Sequence, residues 1–156
     1  MSVAGKAAEI PERATMTPRN PVVAGRFYPC DKDACRQAIV QCLEDAPPAL
    51  TNALPEHPVG AIVPHAGWTC SGHVAAGTFK VINARRSPET VVFFGAPHSR
   101  QANRPAVYER GSWQTPLGDV FIDEALAECL LAGVPTLVAD SHAHQTEHSI
   151  EVLAPL

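Results

Sequence analysis

Charge is scarce in this 156-residue sequence: Asp, Glu, Lys and Arg together make up 18%, below the ~25% of ordinary soluble domains. Twelve basic against sixteen acidic residues leave a net charge of −4. There is no basic stripe, which excludes nucleic-acid binding driven by phosphate contacts. No apolar run approaches the ~20 residues needed to span a bilayer, and no basic amphipathic stretch suggests a membrane surface. The opening residues lack the apolar stretch of a signal peptide. A soluble, cytoplasmic chain is expected, with residues 1–20 forming a flexible N-terminal arm around Pro11 and Pro18. The phosphate loop, the G-x-G-x-x-G fingerprint and the G-x-S-x-G elbow are all missing. The five cysteines are an odd number with no C-x-x-C pair, which argues against a disulfide framework and against a thiolate zinc site. Cys35, Cys42 and Cys129 fall on apolar helix faces and read as small core residues.

Proline and histidine are abundant instead, at 15 and 7 residues. Cys35, Ala38, Ile39, Cys42 and Leu43 recur at helical spacing, so a helix is predicted over residues 31–45. Asp31 or Asp33 would cap it, and Pro47 and Pro48 would stop it. A loop over 46–58 leads to the apolar run Val59 to Val63, read as a strand buried on both faces. A helix over 71–82 follows, then a second buried strand from Thr90 to Gly95. Strand, helix, strand at this spacing implies a parallel βαβ unit. Two short strands are expected around Gly111-Ser112, a helix over 122–132 ending at Gly133, a third short strand from Thr136 to Ala139, and a last helix over 146–156. The fold class is α/β, a mainly parallel sheet flanked by helices.

The two buried runs end alike. Pro64-His65 closes one and Pro97-His98 the other, 33 residues later. Neighbouring parallel strands lie ~4.8 Å apart with their carboxyl ends on one edge, the edge where ligands bind in open α/β sheets. Two neutral imidazoles there are half of a divalent-metal site. The third strand leads into His142, His144 and His148. Residues His144 to His148 spell H-x-x-E-H, which in inverted zincins places both histidines on zinc with the glutamate, here Glu147, as base. The same residues also suit a polar His-rich loop, or a segment that sends one or two histidines, His148 first, into the pocket of His65 and His98. Cys70 is either a reactive thiol near His65 or a structural one. Ser71 and Gly72 open a helix where a small anion could sit. Trp68 and Trp113 are pocket walls or core.

Five ordered blocks then stand out: AGRFYP (Ala24 to Pro29), VPHAGWTCSG (Val63 to Gly72), GAPHS (Gly95 to Ser99), WQTPLGDV (Trp113 to Val120) and EHSIEVLAP (Glu147 to Pro155). Together they resemble the Memo family, whose bacterial members are labelled AmmeMemoRadiSam system protein B. The resemblance runs over about residues 20–156. It implies a Memo-like α/β domain over 21–156, similar to class III extradiol dioxygenases, which are non-haem iron enzymes. It also implies a metal site of iron or copper type, with zinc as a further option, held by His65 and His98 with His148 beside them. His148 would also be the catalytic residue, moving protons. Radical SAM and AMMECR1-like proteins are the implied partners. Family members run on for roughly another hundred residues, which carry a D-x-x-H-type segment and a late cysteine ligand. None of the five cysteines here matches that ligand, so this chain is expected to be the N-terminal half of the domain. An exposed apolar face on its last helix is then expected to drive self-association. A non-catalytic module that docks a partner peptide, and a remnant without a competent site, are the rival expectations.

Overall fold

The computed structural model describes residues 18–47, 58–85, 88–98 and 103–156. The predicted arm up to residue 17 and most of the predicted loop at 46–58 lie outside the described residues.

Helix α1 spans Lys32–Glu44. Its N-cap is Asp31, whose carboxylate accepts from the Asp33 and Ala34 N–H groups at 3.0 and 2.9 Å. These are two of the amides that a helix start leaves without partners. Cys35 and Cys42, two turns apart, are the residues α1 buries. Helix α2, Trp68–Arg85, begins three residues earlier than its apolar spacing suggests. The cause is at its N-terminus, where the Trp68 N–H donates to the Phe27 carbonyl at 2.8 Å. The indole N–H of Trp68 reaches the Val152 carbonyl at 2.9 Å, and its ring stacks on Tyr28 with centroids 5.3 Å apart. The two helices meet at Gly72, where an added Cβ would lie 2.6 Å from the Cys42 sulfur. Only glycine allows that approach. Val23, Tyr28, Cys35, Cys42, Trp68 and Val152 belong to the resulting core.

The strands are short. β1 (Ala106–Val107) pairs in parallel with β4 (Val138–Ala139). β2 (Ser112–Thr115) and β3 (Gly118–Phe121) form an antiparallel hairpin. Two strands do flank Gly111 as expected, but they do not pair with each other. β2 turns instead at Pro116-Leu117, where Gly118 takes a φ of 130° that glycine alone adopts freely. Helix α3, Glu124–Gly133, is capped by Asp123, whose side chain accepts from the Leu126 N–H at 3.0 Å. The predicted C-cap, Gly133, is instead the last helical residue, and Val134 caps.

Mixed α/β architecture with a small parallel sheet is therefore present, but three expectations are corrected. First, residues 59–63 and 90–95 are not buried strands. Val59, Ile62 and Phe94 are 101%, 100% and 95% exposed, and no strand among the described residues pairs with either run. An apolar run becomes a buried strand only where neighbouring strands supply its hydrogen bonds. Second, no helix forms over 146–156: residues 149–155 are a succession of hydrogen-bonded turns. Amide bonds there alternate between the third and fourth preceding carbonyl, as in Leu153 to Ile150 and Val152 to His148. Val152 and Leu153 are buried in this segment, so the expected exposed apolar face at the chain end is covered. Trp68 lies against it. Third, the arm reading fails at its end: Arg19 is 3% exposed, hydrogen-bonded to Ser112 and Gln114 and seated 4.1 Å over the Trp113 ring.

No helix of the described residues is long and apolar enough to cross a membrane.

Candidate metal centre

His65 and His98 close two segments without regular secondary structure, and His148 follows the short 3₁₀ helix at His142–His144. All three rings converge. Centroid separations are 5.2 Å for His65–His98, 4.4 Å for His98–His148 and 6.5 Å for His65–His148. The two Pro-His endings thus meet as predicted, although the strands that were to bring them together are absent. Hydrogen bonds from the EHS segment hold one of the two, at Ala96 and His98.

Glu147 is buried and acts as the local hub. Its Oε1 accepts from the His148 and Ser149 N–H groups, both at 2.8 Å, and lies 3.0 Å from His98 Nδ1. Its Oε2 accepts from the His98 N–H. Burial alone would raise this carboxyl, but the N–H groups of His98 and Ser149 outweigh it and bring the pKa down to about 2. Ser149 fastens the same segment two residues before His98. Its hydroxyl accepts from the Ala96 N–H at 3.1 Å and donates to the Ala96 carbonyl at 3.2 Å. Gly95 is required beside it, since a Cβ there would lie 2.5 Å from the Ser149 oxygen and 2.8 Å from Ile150.

His148 packs edge-on against Phe27 at 5.1 Å. Burial, followed by the neighbouring His98, lowers its pKa. A neutral imidazole is the form that binds metal. His98, Glu147 and His148 each offer a ligand atom, and these atoms lie within 4.8 Å of one another. Two histidines and a carboxylate, with a third histidine 5.2 Å away, suit zinc, copper or non-haem iron by donor type.

His144 does not join them, which corrects the H-x-x-E-H reading. Its ring lies between Tyr108 and Trp113, at 5.8 and 6.0 Å, and its Nε2 is buried without a partner. Burial lowers its pKa as well. The motif needs a helix to put both histidines on one face, whereas here the 3₁₀ turn stops at His144. His142 is exposed. Cys70 is exposed, and neither Trp68 nor Trp113 is: both are core. Ser71 is spent within the chain, donating to the Ala66 carbonyl.

Sequence reasoning considered Glu147 only as a zincin base and passed over Ser149. Both stand in the EHS block, and that block was the available signal.

A second buried acid holds this segment to the start of the domain. Glu151 is 2% exposed and pairs with Arg19 at 2.8 Å. It also accepts from the Val22 and Val23 N–H groups and from the Tyr28 hydroxyl. Arg19 in turn donates to the His144 and Glu147 carbonyls, so the strap reaches the residues that carry the histidine cluster.

Fold and site together define a mixed α/β protein with a cluster of three histidines beside a buried glutamate. The family model described as Memo-like protein matches residues 19–156, and the chain belongs to that family. A MEMO1 family protein of Methanopyrus kandleri is 43% identical over 141 residues, covering 88% of this chain and 50% of that protein. A MEMO1 family protein of Thermococcus onnurineus is 41% identical over 140 residues, 88% of this chain and 46% of its own length. One from Desulfurococcus amylolyticus is 33% identical over 145 residues, with 90% and 51% covered. The chain spans about half the length of the curated relatives it matches.

Proposed function

We propose that the cleft of His65, His98 and His148 is a metal-binding centre of non-haem iron or copper type, with zinc an alternative occupant. The observation that carries this reading is the convergence of three imidazoles from three separate segments, with ring centroids 4.4–6.5 Å apart. The donor set fits, because His148 is held toward its neutral form and a carboxylate braces His98. When bound, the metal would supply Lewis-acid or redox chemistry to a substrate oxygen. The chain's own part is to hold the rings at fixed separation, to shield one side with Phe27, and to let His148 accept or return a proton. An activity of dioxygenase-like redox or hydrolytic type fits such a centre. Association with radical SAM and AMMECR1-like proteins in the cytoplasm, as bacterial AmmeMemoRadiSam system protein B, fits the family.

The test is metal analysis of untagged protein, followed by calorimetric titration with iron, copper and zinc. One ion per chain is expected, lost in His65→Ala, His98→Ala and His148→Ala. Protein that binds no ion, or binds one unaffected by those substitutions, would overturn the proposal.

A second reading, a partner-docking module, is favoured by one observation: Val59, Ile62 and Phe94 stand exposed on the two segments that lead to the cleft. Retained metal binding separates the first reading from it.

A further inference from the structure

We infer that Glu147 is the positioning residue of this centre: it fixes His98 in the tautomer with the proton on Nδ1, leaving Nε2 as the ring's only lone pair. The inference rests on the metal reading for its consequence, but its geometry stands apart from any metal.

Three backbone N–H groups point at this carboxylate, from His148 and Ser149 to Oε1 and from His98 to Oε2. Three donors converging on one carboxyl favour its ionised form, in which both oxygens are acceptors. His98 Nδ1 lies 3.0 Å from Oε1. Two lone pairs at that distance would repel, so Nδ1 carries the hydrogen and donates it. A neutral imidazole has one N–H and one lone pair, which leaves the lone pair on Nε2. The same glutamate holds the backbone amide of His98. Ring and main chain are therefore gripped together, and the ring has little freedom to rotate. Carboxylates brace metal-binding histidines in this way, fixing the tautomer and making the free nitrogen more basic. His148 is not held so. Its Nδ1 is 3.9 Å from Oε1, beyond hydrogen-bond distance. Of these two rings, the glutamate braces His98 alone.

Glutamine cannot replace this glutamate. With its oxygen at the Oε1 position, its NH₂ faces the His98 N–H. Turned over, its NH₂ faces the donors of His148, Ser149 and His98.

The experiment uses the full chain without metal and reads the His98 ring by long-range ¹H–¹⁵N correlation at neutral pH. A protonated Nδ1 and bare Nε2 are expected in the parent protein. In Glu147→Ala, which leaves His98 Nδ1 without this acceptor, the His98 signals should move toward the tautomer protonated on Nε2, while the His148 tautomer stays as it was. A general loosening of the fold would move both. Titration with zinc should then show affinity reduced about 10–100-fold in Glu147→Ala. Parent protein with His98 protonated on Nε2 overturns the inference whether or not zinc binds, and needs no variant to fold. Parent protein with the expected tautomer that binds no zinc overturns the metal centre and leaves the role of Glu147 in holding His98 supported.

Discussion

Replacing Glu151 by alanine should destabilise this chain more than any change at its surface. The carboxylate is buried and pairs with an Arg19 side chain that is only 1% exposed. Removing it strands a guanidinium inside the protein, and breaking one side of a buried pair costs about 3–5 kcal/mol. The Val22 and Val23 N–H groups and the Tyr28 hydroxyl lose their acceptor as well. Each such orphan costs about 1–3 kcal/mol, although contributions within one network do not add. A loss of at least ~3 kcal/mol is expected, against a total stability of ~5–15 kcal/mol. Urea denaturation followed by the fluorescence of Trp68 and Trp113, both 5% exposed, measures it. Two comparisons sharpen the test. Glu151→Gln keeps the shape and one acceptor oxygen and should lose less than Glu151→Ala. The pair Arg19→Met with Glu151→Met removes both charges and should also lose less than Glu151→Ala alone, because no charge is left unpaired. The reasoning is refuted if Glu151→Ala costs under ~1 kcal/mol, the range of an ordinary surface substitution, or if the double variant is the least stable of the three.

The acid limb of stability should be governed by Glu147. Its pKa falls from 4.5 to about 2 on folding, so its contribution, up to about 3 kcal/mol, is present above pH ~4.5 and lost as pH falls toward 2. Glu147→Gln should flatten that limb in pH-dependent urea titrations. His144, whose pKa burial lowers, should titrate below its ordinary 6.5 by NMR, and its contribution to stability should decline as pH falls below that value. An ordinary midpoint would place the ring in water. At the alkaline end, burial and then the charge of Glu151 raise the Tyr28 hydroxyl. The folded state keeps this proton after the unfolded chain has lost it, so stability should fall as pH rises past about 10, and less steeply in Tyr28→Phe. Ile62→Ser and Phe94→Ser should each change stability by no more than ~0.5 kcal/mol, because both side chains are fully exposed. A loss of several kcal/mol in calorimetry would mean that these runs are buried in solution. Gly95→Ala should cost ~1–3 kcal/mol by forcing Ser149 and Ile150 aside, and should broaden the His98 resonances.

Local chemistry was legible without the fold. Asp31, one of two caps the sequence offers for the first helix, marks its start, because its carboxylate satisfies amides that the helix itself cannot. The spacing of Cys35 and Cys42 marks the buried face of α1 in the same way. The matched Pro-His endings pointed to His65 and His98 as neighbours, while His148 joined them only as one of several readings of its segment and through the family resemblance of the EHS block.

What tertiary structure decided was everything that depends on a distant partner. Val59 to Val63 and Thr90 to Gly95 have the composition of buried strands, but a strand exists through its neighbours, and the described residues provide none. The segment after His148 has helical apolar content, yet its turns are shaped by Glu151 reaching across to Arg19, 132 positions away in the chain. His144 and His148 share a motif and part company because the 3₁₀ turn stops at His144 and one ring is drawn between Tyr108 and Trp113. Glu147 shows the division most plainly. Nothing in its sequence neighbourhood reveals that the amide and ring of His98, 49 positions before it, will close on its carboxylate. Hydrogen-bond acceptors are assigned by proximity in space, and periodicity carries no record of that.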